Sequence, residues 1–163
     1  MNKTYQKEWL GIAFEDLGVD MSGRNIADIR FYGKFYEEMY RRYKGYDDLP
    51  KQWLAIKTEV VSHIRGMLTR KQNSLLSIGC GTGYIETELC KNDNAIHIVA
   101  IEPGIEATEW IDNRVTLLTG LFPTVLEGMY SSEDFDFVYA SGIDYVFDNE
   151  SYHVFLGSLI DFG

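Results

Sequence analysis

Cysteine is scarce in this 163-residue chain, which has only Cys80 and Cys90. One sits in a glycine-rich turn and the other in the helix expected after it, so no disulfide framework is expected and neither has metal-ligand company. Cys80 reads as a small residue whose backbone amide matters. A nucleophilic thiol is the alternative, but no histidine lies near it in sequence to activate it. Apolar runs of membrane-spanning length are missing, and Glu8 interrupts the stretch where a secretory signal needs its apolar segment. These absences lead to the expectation of a cytoplasmic protein with no membrane partner. Basic residues are depleted in one part only. Residues 1–71 carry 13 of the 15 Lys and Arg against 10 acids, whereas residues 72–163 carry 2 against 15, for a net charge of −10. An acidic C-terminal part is a poor partner for nucleic acid, because phosphate neutralisation drives such binding. The basic cluster Arg41, Arg42 and Lys44 reads as a solvated helix end.

What the chain does have is apolar residues, 45% of the total, with 14% aromatic. That composition and length fit one globular domain with a real core. No internal repeat or low-complexity stretch is visible. Residues 1–72 read as a helical cap. Ile29, Tyr32, Phe35, Tyr36, Met39 and Tyr43 recur at helical spacing between Ile26 and Tyr43. After the turn K-G-Y-D-D-L-P, Pro50 suits a first helical turn, and Trp53, Ile56, Val60, Ile64, Met67 and Leu68 form a second stripe. From residue 74 the pattern alternates. Strands are expected at about 75–79, 96–101, 115–119 and 135–140, with helices beginning near Tyr84, Ile105 and Pro123 and a last one near Glu150. Such alternation signals a parallel α/β sheet whose ligand lies at the carboxyl ends of its strands. Residues 73–163 are thus the core, the polar segment Arg70 to Ser74 is an intradomain connection, and cap and core together form one domain.

The chemistry concentrates in L-L-S-I-G-C-G-T-G at 75–83 and I-V-A-I-E-P at 98–103. An apolar strand runs into Gly79, Gly81 and Gly83, and a second strand ends in Glu102, 19 residues after the last glycine. Glycines there let the backbone turn tightly and approach a ligand, and the amides opening the next helix face an anionic group. Glu102 can accept hydrogen bonds from two ribose hydroxyls. A dinucleotide fingerprint would require a small residue at position 84, which is Tyr84.

The G-x-G-x-G spacing resembles motif I of the class I, Rossmann-like S-adenosylmethionine-dependent methyltransferases, and F-D-F-V-Y-A-S-G at 135–142 is similar to the family's fourth strand. The resemblance implies a sheet in spatial order 3-2-1-4, S-adenosylmethionine as cofactor and a small-molecule methyl acceptor. It implies cofactor contacts from Gly79, Cys80, Gly81, Gly83, Glu102, Pro103, Leu121, Phe122 and Ser141. Tyrosines such as Tyr36 or Tyr40 resemble those that reach the cofactor's carboxylate, with core packing as the competing role. Three departures stand out. Ser77 occupies the place of a usual acid near the methionine ammonium. Leu121 and Phe122 replace an acid that bonds adenine. The sequence given stops at L-I-D-F-G, so the sheet is expected to lack the family's later strands and to leave strand four as an edge. A fragment of a longer enzyme, a short protein pairing its edge with another copy as a homo-oligomer, and a non-catalytic cofactor-binding or scaffolding module all stay open. The catalytic group is unassigned. Asp144 and His153 are the candidates for a general base, and His63 and His97 read as structural.

Overall fold

The computed structural model describes residues 7–18, 29–69, 73–91, 93–104, 109–143 and 149–162. The first described residues are not helical. Strands β1 (Glu8–Trp9) and β2 (Ile12–Ala13) form a two-stranded antiparallel hairpin. Leu10 and Gly11 close it, both at positive φ (50° and 69°), as a tight two-residue hairpin turn demands. Leu10 tolerates this conformation because its side chain is buried and its carbonyl accepts from the Tyr43 hydroxyl at 2.8 Å. Residues 1–72 were expected to be helical; the turn at Leu10 and Gly11 makes Glu8–Ala13 a hairpin.

A 3-10 turn at Phe14–Leu17 follows, then α1 (Ile29–Arg42), a 3-10 turn at Tyr46–Asp48 and α2 (Lys51–Met67). Helix α1 buries Tyr32, Phe35, Tyr36 and Met39, on the expected stripe, together with Phe31. They pack under the hairpin, with Trp9 stacked on Phe35 at 4.8 Å between ring centroids. The expected stripe of α2 is partly rotated. Val61 and Ile64 are buried and Trp53 and Val60 half-buried, but Ile56 and Met67 are exposed. The inner face instead passes through position 57, occupied by a lysine. Pro50 lies just outside α2 as its N-cap rather than in its first turn.

Strands β3 (Ser74–Ile78), β4 (His97–Glu102), β5 (Thr116–Thr119) and β6 (Phe137–Ala140) form one parallel sheet in the order β5-β4-β3-β6. This is the expected 3-2-1-4 order of a Rossmann-like fold with an N-terminal helical cap. Successive side chains point to opposite faces. Leu75, Ile98 and Ala100 pack towards α2 and α3 (Tyr84–Lys91), whereas Leu76, Ile78, Val99 and Ile101 pack towards Phe155, Leu159 and Phe162 of α4 (Asn149–Phe162). Burying each such side chain is worth about 1.5–3 kcal/mol, which is what fixes the register of a sheet covered on both faces. The start of the crossover helix expected near Ile105 lies outside the described residues, and the one expected near Pro123 differs. Residues 109–115 run in turns into β5. Pro123 opens only a 3-10 turn at Thr124–Leu126, stopped by Gly128 at φ 74°.

Cap and core are joined by specific contacts. The Tyr46 hydroxyl donates to the Thr82 carbonyl at 2.7 Å, and Tyr40 meets Trp110 edge-on at 4.7 Å. Asp136, just before β6, accepts from the amides of Asn73 and Ser74 at 3.0 Å and so ties the start of β6 to that of β3. The Tyr46 and Tyr40 contacts place the aromatic cap over the carboxyl ends of the strands.

Candidate functional site

Beyond Ile78 the chain turns through glycine. Gly79, Gly81 and Gly83 have φ values of 73°, 57° and 72°, a region costing other L-residues roughly 1–2 kcal/mol. Space is restricted as well. A Cβ on Gly79 would stand 2.5 Å from the Cγ2 of Ile143, and one on Gly83 2.4 Å from the Cγ1 of Ile111. The amides of Gly79 and Cys80 both donate to the Ile101 carbonyl, at 2.8 and 3.1 Å, which locks the turn to the end of β4.

Glu102 completes this lock. One carboxylate oxygen accepts from the Gly81 amide at 2.8 Å and the other from the Gly104 amide at 3.0 Å, while the residue is only 5% exposed. Burial pushes its carboxyl above the ordinary range, and the two amides pull it back. Each oxygen keeps further acceptor capacity, so two ligand hydroxyls can still be received.

A cavity of about 1000 Å³ runs along the carboxyl ends of all four strands. Its wall includes Gly79, Cys80 and Gly81 after β3, Glu102 and Pro103 at the end of β4, Leu121 and Phe122 after β5, and Ser141 after β6. Gly83 is the one expected contact outside the lining, since it backs onto Ile111. Tyr36 lines the cavity and Tyr40 does not. Trp9, Tyr32 and Trp53 of the cap close the opposite wall.

The floor holds residues that the sequence pattern did not single out. Glu86, in the first turn of α3, is 1% exposed. Its Oε1 accepts from the Ser77 hydroxyl at 2.5 Å and the Tyr139 hydroxyl at 2.8 Å, and its Oε2 has no hydrogen-bond partner. Burial raises its carboxyl above the ordinary value, against the two hydroxyls and the positive charge of Lys57. Lys57 enters the same cavity from α2 and lies over the Trp53 ring, 5.7 Å from its centroid; burial lowers its ammonium. Ser77 is thus the donor to a carboxyl supplied by the neighbouring helix. A signal existed for both residues: Glu86 and Lys57 are single charges on the apolar faces of their helices, beside Ile85 and Leu89 and one turn before Val60 and Val61.

Other expected groups fall elsewhere. Desolvation pushes the Cys80 thiol well up, so it stays protonated, which disfavours a nucleophile. His153 is exposed on α4 and is not in the cavity wall, and Asp144 lies outside the described residues. His63 and His97 are exposed on α2 and at the start of β4. Among the described residues, no cluster of His, Cys, Asp and Glu could hold a metal ion, and no helix is long and apolar enough to cross a membrane.

A parallel sheet in this order, with a cleft along its carboxyl edge, defines a Rossmann-like fold of the kind that binds nucleotide cofactors. No protein-family model matches the chain, and no curated protein matches it.

Proposed function

We propose that the protein binds S-adenosylmethionine and transfers its methyl group to a small-molecule acceptor. The observation that carries this reading is the convergence, on one cavity, of the G-x-G-x-G turn after β3 and the buried carboxylate of Glu102 at the end of β4. The group fits the residues present. The left-handed glycine turn leaves no Cβ where a nucleoside would approach, and Glu102 retains acceptor positions for two ribose hydroxyls. Leu121 and Phe122, after β5, offer apolar surface for the base in place of a carboxylate. When bound, the cofactor supplies a methyl group already activated on a positively charged sulfur.

The protein's own part is then mainly positioning. The aromatic wall of Trp9, Tyr32 and Trp53 encloses an acceptor of modest size and excludes water from it. Holding acceptor and methyl group in line at near-attack distance supplies much of the rate, and a base is needed only when the acceptor's proton is hard to lose. Titration calorimetry with S-adenosylmethionine, followed by methylation of a metabolite extract with a methyl-labelled cofactor, tests the reading. Binding with label transfer supports it; absence of binding at millimolar cofactor overturns it. A second reading, a cofactor-binding module without turnover, draws support from the position of His153 outside the cavity. Binding without any label transfer would favour that module.

A further inference from the structure

Two charged side chains in the cavity wall, Glu86 buried and Lys57 half-buried, are incompletely paired. Oε2 of Glu86 is buried with no hydrogen-bond partner, although Oε1 receives both nearby hydroxyls. Lys57 stands on the inner face of α2, with its ammonium 3.5 Å from the point a Cβ on Gly142 would occupy. Among the described residues it makes no ion pair or hydrogen bond; its only direct contact of this type is with the face of Trp53. An unpaired charge removed from water costs several kcal/mol, and a direct Glu86–Lys57 bridge would have been the simplest remedy. The fold does not make that bridge. It holds the two opposite charges apart in the wall of one cavity.

Two separated, unpaired charges of opposite sign match a ligand group carrying the same two signs. We propose that Glu86 and Lys57 bind the two ends of an α-amino-acid zwitterion, with the ligand ammonium paired to the carboxyl of Glu86 and the ligand carboxylate accepting from Nζ of Lys57. The inference rests on the S-adenosylmethionine reading and assigns the amino-acid end of that cofactor to a specific pair of side chains. The placement along the sheet agrees. Ser77 and Tyr139, which hold Glu86, belong to β3 and β6, whereas Leu121 and Phe122 follow β5, at the other end of the sheet. Three strand spacings separate β5 from β6, roughly 14 Å, comparable to an extended nucleoside with an amino-acid tail. Burial drives both groups towards their neutral forms, and a zwitterion supplies the counter-charges that oppose this.

The test compares two nucleosides that differ only in the amino-acid part, S-adenosylhomocysteine and 5′-methylthioadenosine, by calorimetry on the full chain. The wild type is expected to bind the first more tightly. Glu86→Gln and Lys57→Met should each weaken S-adenosylhomocysteine at least tenfold and change 5′-methylthioadenosine less than twofold, while Lys57→Arg keeps most of the affinity. Thermal unfolding checks that each variant is folded, and Lys57→Met decides the matter alone if Glu86→Gln is not. Equal weakening of both nucleosides, or of neither, overturns the inference and leaves the cofactor reading intact. A wild type that binds neither nucleoside overturns the cofactor reading, and this inference falls with it.

Discussion

Glu102 and Glu86 are two buried carboxyls, one at each side of the glycine turn, and the turn treats them differently. Both oxygens of Glu102 accept backbone amides, from Gly81 and Gly104. Glu86 has one oxygen held by two hydroxyls and one left bare. Residue type and burial are therefore insufficient to tell what a carboxyl does. Glu102 is part of the scaffold that shapes the turn and lends its spare acceptor positions to a ligand. Glu86 is held in place by the scaffold but contributes little to it, and its second oxygen is buried without a partner beside the cavity.

Removing each group separates these roles. Glu102→Ala should have the largest effect, because it strands the buried amide of Gly104 and the half-buried one of Gly81 and frees the turn; a loss of about 2–4 kcal/mol is expected in urea unfolding. A loss under about 0.5 kcal/mol would show that the amides find water instead, and the contrast with Glu86 would collapse. Gly79→Ala should come next, at roughly 1–3 kcal/mol from its positive φ and the overlap with Ile143. Calorimetry on that variant should also show loss of nucleoside binding, since the turn can no longer hold its shape.

Glu86→Gln is expected to change the stability of the ligand-free protein by less than about 1 kcal/mol near neutral pH, since it removes a poorly satisfied carboxyl. Its signature is in the pH dependence. The folded-state carboxyls of Glu86 and Glu102 lie above the ordinary value of 4.5, so the folded form binds their protons more tightly than the unfolded chain. The stability they contribute is fully present below about pH 4.5 and is lost as pH rises through the folded values. Melting temperatures measured upward from pH 4.5 should fall, and Glu86→Gln should flatten that fall, leaving the part due to Glu102. An unchanged slope would mean that Glu86 titrates alike in both states.

Asp112 gives the smallest effect and the opposite sign. The Arg114 side chain beside it lowers its carboxyl from 3.8 to about 2. Its contribution is present above pH 3.8 and fades only as pH falls through about 2. Asp112→Asn should thus cost a small amount of stability at neutral pH, small because water screens the pair, and should flatten the loss on the acid limb.

The legible part of this protein was the part written by repetition and by conformational necessity. The alternation of apolar strands with helices signalled the parallel sheet, whose order was expected only from the family resemblance, and its register is held because a one-residue slip would turn Leu75 or Ile98 away from the core. Gly79, Gly81 and Gly83 announced their turn because positive φ with no room for Cβ is a requirement other residues cannot meet. The hairpin at Glu8–Ala13 was hidden, as Trp9, Leu10 and Ile12 serve a helix or a hairpin equally and only the close of the turn at Gly11 decides. The 3-10 turn after Pro123 was hidden in the same way, by Gly128 five residues beyond the expected start.

The site divides along the same line. By itself the sequence determined the glycine turn and the acid at the end of the next strand, because both depend on neighbours a few residues away. Only the tertiary structure decided that Glu102 is tied to Gly81, that Gly83 backs onto Ile111, and that Glu86 meets Ser77, Tyr139 and Lys57 in one cavity. Those meetings join α2, α3, β3 and β6, elements distant in sequence, and whether a buried charge finds a partner is settled by which elements pack against it, not by its own residue type.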